Sequence, residues 1–122
     1  MLKVTDKEFQ KLVDEAVLSL PGKFRSLIRN TAIAVEDHPS PELLEEMEID
    51  PPDTLLGLYQ GVPLTERGLG YGNTTPDVIL IFKAPILSIC STPEEIREQV
   101  RETVIHEVAH YFGMSDDEID AL

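Results

Sequence analysis

His106 and His110 lie four residues apart in a chain of 122, and Glu107 directly follows the first of them. On an α-helix, side chains four apart project from one face on adjacent turns. Two neutral imidazoles so placed can share one Zn²⁺ at about 2.0–2.1 Å each. Glu107 flanks the same face, where it can take a proton from water whose pKa zinc lowers to about 7. The arrangement is H-E-x-x-H, written here as His106-Glu107-Val108-Ala109-His110. Gly113 follows three residues after His110 and suits the left-handed position that ends a helix. That break lets the chain turn back and brings Asp116 within reach as a third, oxygen ligand. Asp117 or Glu118 could take the same place, and Ser115-Asp116-Asp117-Glu118 also reads as the cap and acidic first turn of a short helix. Three protein ligands leave the open fourth position that a catalytic zinc requires. Mixed imidazole and carboxylate ligands suit other divalent metals as well.

The element that must carry these residues is well signalled. Thr92 stands at an N-cap, Pro93 at the first helical position, and Glu95 three residues after the cap. Helical spacing runs from there to Phe112. Ile96 and Val100 form a narrow apolar stripe in the first half. From Val104 onward the apolar positions Val104, Ile105, Val108, Ala109, Tyr111 and Phe112 spread almost all the way round, which predicts a buried helix end. His106, Glu107 and His110 occupy one arc about a quarter-turn wide within it. Titratable groups there need partners or a cavity, because burying them alone is costly.

The rest of the chain reads as a scaffold. Thr5-Asp6-Lys7-Glu8 is a capping box, and Phe9, Leu12, Val13, Ala16, Val17 and Leu20 follow at helical spacing up to Pro21-Gly22. A short strand is expected over 32–37, a short helix over 42–47, and a second strand over 55–61. The glycine-rich stretch 61–75 reads as a long loop. Asp77–Lys83 is the strongest strand signal, and Ile86–Ile89 reads as a further strand after Pro85. The order predicts an α+β layer of helices against a small sheet.

Bulk properties narrow the functions. At 122 residues with 42% hydrophobic, the chain suits one compact domain. A single cysteine, Cys90, excludes an internal disulfide framework and a cysteine-rich zinc module, and fits a reducing compartment. The first residues lack the apolar stretch of a signal peptide, and the longest apolar run, Val78–Phe82, is far too short to span a bilayer. A cytoplasmic protein with no membrane partner is expected. A formal charge of −13 with only 10 basic residues argues against nucleic acid as a partner.

His106-Glu107-x-x-His110-x-x-Gly113-x-x-Asp116 resembles the extended zinc signature of metzincin-type peptidases, with Asp in place of the usual third His. A wider resemblance, to the short bacterial zincin-like metallopeptidase family sometimes called minimal zincins, takes in Leu56–Thr65, Pro76–Phe82 and Val104–Gly113. It implies one zincin-like domain over 1–122, with a small mixed sheet packed against an N-terminal helix and the C-terminal motif helix. An edge strand would border the cleft. It also implies zinc-dependent hydrolysis of peptide bonds, with His106, His110 and Asp116 as ligands, Glu107 as general base, and an unstructured or extended peptide as substrate. Met114 precedes Asp116 and the sequence stops at Leu122, so a Met-turn below the metal is not expected. Two rival readings are a metal-binding regulatory or interaction module without turnover, and a metal-dependent ribonuclease. Tyr111, Tyr59 and Tyr71 read as core or cleft residues, His38 as a turn residue, and Cys90 as a small buried thiol.

Overall fold

The computed structural model describes residues 3–61, 77–115 and 117. Helix α1, Asp6–Leu18, begins with the reciprocal cap that the sequence signals. Thr5 Oγ1 accepts from the Glu8 N–H at 3.1 Å, and Glu8 Oε1 accepts from the Thr5 N–H at 3.2 Å. The helix buries Phe9, Leu12, Val13 and Ala16 on one face. A short helix α2, Gly22–Leu27, follows at once and buries Phe24. Pro21-Gly22 therefore ends one helix and opens another: Pro21 takes the N-cap position of the second, where its missing N–H breaks no intrahelical bond.

Strand β1 spans Thr31–Glu36, helix α3 Pro41–Glu46, strand β2 Gly57–Gln60 and strand β3 Asp77–Phe82. Ser40 caps α3, its Oγ accepting from the Leu43 N–H at 3.0 Å. The described strands form a mixed sheet of order β1-β3-β2, with β3 central. β1 runs parallel to β3, and β2 runs antiparallel to it. Burial on both faces explains why β3 reads as a continuous apolar run: Ile79, Ile81 and Phe82 are fully buried, and Val78 and Leu80 are partly covered. Most of the glycine-rich stretch expected as a loop lies outside the described residues.

The residues after β3 correct one expectation. Ile86–Ile89 belongs to a helix, α4, Lys83–Ile89, and not to a strand. Pro85 sits in its first turn, where the missing N–H would have had no intrahelical partner anyway. Lys83 Nζ reaches Asp6 Oδ1 at 2.6 Å and ties the start of α4 to the start of α1. Helix α5, Pro93–Tyr111, then packs on both the sheet and α1. Its cap is as expected, with Thr92 Oγ1 accepting from the Glu95 N–H at 3.1 Å. The returning Glu95 carboxylate accepts from the Ser91 N–H at 2.9 Å, one residue before the cap. Gly113 ends the helix at φ 69°, the left-handed conformation its position demands.

The core is continuous from α1 through α5 to the sheet, with Phe9, Phe24, Ile79, Ile81, Ile86, Ile96, Val100, Val104 and Val108 fully buried or nearly so. No helix among the described residues is long and apolar enough to cross a membrane.

Candidate metal centre

The sheet and α5 meet along β2, and two glycines permit the contact. A Cβ on Gly57 would lie 2.6 Å from Thr103 Cγ2 and 2.9 Å from the Leu80 carbonyl oxygen. A Cβ on Gly61 would run into the Tyr111 ring. Between them, the Tyr59 backbone N–H donates to Glu107 Oε2 at 3.4 Å. Helix positions 103, 107 and 111 thus face strand positions 57, 59 and 61. The match is arithmetic: four helical residues rise about 6 Å, and two strand residues about 6.8 Å. Helix and strand run side by side in the same direction.

Ladder phase explains why the Tyr59 N–H is free to reach a side chain. The Phe82 N–H donates to the Leu56 carbonyl at 2.9 Å, and Leu58 and Gln60 stand opposite Leu80 and Val78. In an antiparallel pair the bonding groups alternate along each strand. Leu56, Leu58 and Gln60 therefore turn their backbone groups to β3, whereas Gly57 and Tyr59 turn theirs to the opposite edge of the strand. Glu107 is held on that edge.

The Tyr59 side chain is itself anchored. Its hydroxyl donates to Asp77 Oδ2 at 2.9 Å and lies 3.4 Å from Thr31 Oγ1, linking all three strands. Its ring stacks on Tyr111 with centroids 4.0 Å apart and planes at 19°. Phe112 meets both rings edge-on. Burial raises the Tyr59 phenol above its ordinary pKa, with Asp77 adding to the shift and Thr31 opposing it.

Glu107 is half-covered, and burial pushes its carboxyl above the ordinary carboxylate range; the Tyr59 N–H, His110 and His106 partly offset this. His106 and His110 lie one step further round the helix and are exposed. Their rings are nearly parallel, at 13°, with centroids 6.2 Å apart. The expected all-round burial of the helix end is corrected here. Val104, Val108 and Ala109 are buried, but Tyr111 and Phe112 remain 45% and 46% exposed.

The donor set fits a metal of the zinc type. Two imidazoles on one tetrahedral zinc at about 2.1 Å would place ring centroids about 5 Å apart. The observed pair is about 1 Å wider. Among the described residues no group of three His, Cys, Asp or Glu side chains could hold a metal. Asp116, expected as third ligand, and Glu118 lie outside the described residues, as does Tyr71. Asp117 is exposed. His38 is exposed beyond β1, and Cys90 is buried at the end of α4, its thiol pushed up by burial and secondarily by Glu95.

A groove of about 280 Å³ runs beside the centre, between the segment leading into β2 and one flank of α5. Leu55, Leu56 and Gly57 form one wall, and Glu102, Thr103 and His106 the other. Sequence reasoning missed this groove and the roles of Gly57 and Gly61. The glycines carried a legible signal, since glycine at a strand often marks a close backbone approach. The groove did not, because it arises from the pairing of two distant segments.

A family model described as zincin-like metallopeptidase matches residues 28–122, from just before β1 through the motif helix. No curated protein matches the chain. Among solved structures, a conserved hypothetical protein from Thermus thermophilus is similar, with a TM-score of 0.57 and 20% identity over 89% of this chain and 94% of that one. At that identity the likeness speaks for the fold alone.

Proposed function

This chain belongs to the zincin-like metallopeptidase family, and from that premise we propose that it is a zinc-dependent peptidase acting on extended or unstructured peptide segments. The observation that carries the reading is the placement of the Glu107 carboxylate, bonded to the Tyr59 N–H of β2 beside two exposed imidazoles. In this proposal His106, His110 and Asp116 hold the metal. Zinc, when bound, would polarise the scissile carbonyl and acidify the attacking water.

Glu107 takes the proton from that water and hands it to the leaving amine. The Tyr59 N–H fixes where the carboxylate sits, and the stacked Tyr59–Tyr111 pair fixes the strand against the helix. In this proposal an extended substrate lies along the groove between the segment leading into β2 and α5, bound in a mode that reads backbone first and side chains second.

The test compares zinc-loaded wild type with Glu107→Gln on a library of unstructured peptides, with cleavage read by mass spectrometry and bound metal measured in both. Wild type is expected to cleave, and Glu107→Gln to keep its metal while losing at least about 100-fold in rate. Zinc-loaded wild type that cuts no peptide would favour a metal-binding module without turnover.

A further inference from the structure

The groove beside the centre combines an apolar wall with one carboxylate that no described residue of the site employs. Of its two acidic residues, Glu107 is bonded to the Tyr59 N–H. Gln99 and Thr103 are occupied with each other, Gln99 Nε2 donating to Thr103 Oγ1 at 3.3 Å. Glu102 is exposed at the groove and makes no ion pair among the described residues. Among the described residues no Lys or Arg lines the groove.

Lys and Arg side chains lay their aliphatic stems along apolar surface while the charged head stays wet. Leu55 and Leu56, both partly covered, supply such a surface opposite Glu102. Reach also agrees. Glu102 stands five residues from Glu107, about 7.5 Å along the helix, which is about two residues of extended chain. The overall charge of −13 further favours a cationic occupant.

We infer that this groove is a substrate subsite for a basic side chain, with Glu102 as the residue that selects Lys or Arg within two positions of the scissile bond. The inference rests on the peptidase reading for its substrate class. The competing role for Glu102 follows from spacing alone: it stands four residues before His106, where a carboxylate orients a ligating ring.

The experiment measures binding without cleavage. Fluorescent unstructured peptides, identical except for one Lys, Gln or Glu, are titrated against the zinc-loaded Glu107→Gln chain with and without Glu102→Gln. Glu102 is exposed, so the second change leaves the fold intact. The Lys peptide is expected to bind about three- to fivefold more tightly than the Gln peptide, the scale of a partly exposed ion pair. That preference should shrink with added salt and vanish in Glu102→Gln, with zinc content unchanged. Equal binding of all three peptides, a preference that survives Glu102→Gln, or a loss of zinc in Glu102→Gln would each overturn it. A chain that prefers the Lys peptide yet, as wild type, never cleaves keeps the subsite and sinks the peptidase. A chain that cleaves without preference does the reverse.

Discussion

The Tyr59 backbone N–H donates to Glu107 Oε2 at 3.4 Å, so the residue proposed as general base is positioned by the edge of the sheet and not by its own helix alone. The contact exists because Gly57 and Gly61 let α5 settle on β2 at both ends of the Tyr59 contact. Position on the helix and phase in the ladder act together. A shifted ladder would take the Tyr59 N–H away and leave the carboxylate held by its own helix alone.

A side chain at Gly61 should therefore force the Tyr111 ring off its stack on Tyr59. Every close contact of an added Cβ there is with the Tyr111 ring. Gly61→Ala is expected to destabilise by about 1–3 kcal/mol, the scale of overpacking. In a Tyr111→Ala background the same change should cost less than about 0.5 kcal/mol, because its obstacle is gone. Urea denaturation of the four chains measures the coupling. Equal costs in both backgrounds would show that α5 does not rest on β2 through this pair.

Tyr59 predicts a dependence on alkaline pH. Burial holds its folded pKa above the ordinary phenol value, so the neutral form is favoured in the native state. The resulting stability is fully present below the unfolded pKa of about 10. It is lost as pH rises through the folded value. Tyr59→Phe lacks this group, so its stability should fall less steeply above about pH 10 than that of wild type in denaturant titrations. Parallel curves would place the phenol in water.

Cys90 should behave as a buried thiol. Burial raises its pKa and covers the sulfur, so both thiolate formation and access are reduced. Labelling with a disulfide reagent at pH 8 is expected to be slow in the native chain and complete within seconds in denaturant. Fast native labelling would contradict the packing at the end of α4.

Much of this fold was written locally. Thr5 and Thr92 announce their helices because an N-cap is a contact between residues three apart, and Gly113 announces an end because few other residues adopt its φ. β3 was legible from its apolar run. The failures are of two kinds. Ile86–Ile89 is a short apolar segment after a proline, and such runs do not distinguish helix from strand by period. The exposure of Tyr111 and Phe112 depends on how distant segments pack around the helix end, which no local pattern encodes. For the site, spacing alone placed His106, Glu107 and His110 on one helix face. The partner that holds Glu107 could not be read, since it is a backbone group 48 residues away.

The most direct test of the central claim is the amount of zinc held per chain. Metal analysis of purified protein after dialysis should find one zinc in wild type, none in His106→Ala or His110→Ala, and a weakened site in Asp116→Ala. Glu107→Gln should retain the full equivalent, because Glu107 is placed as a base and not as a ligand. Wild type without zinc, or a His106→Ala chain that keeps it, would contradict the account.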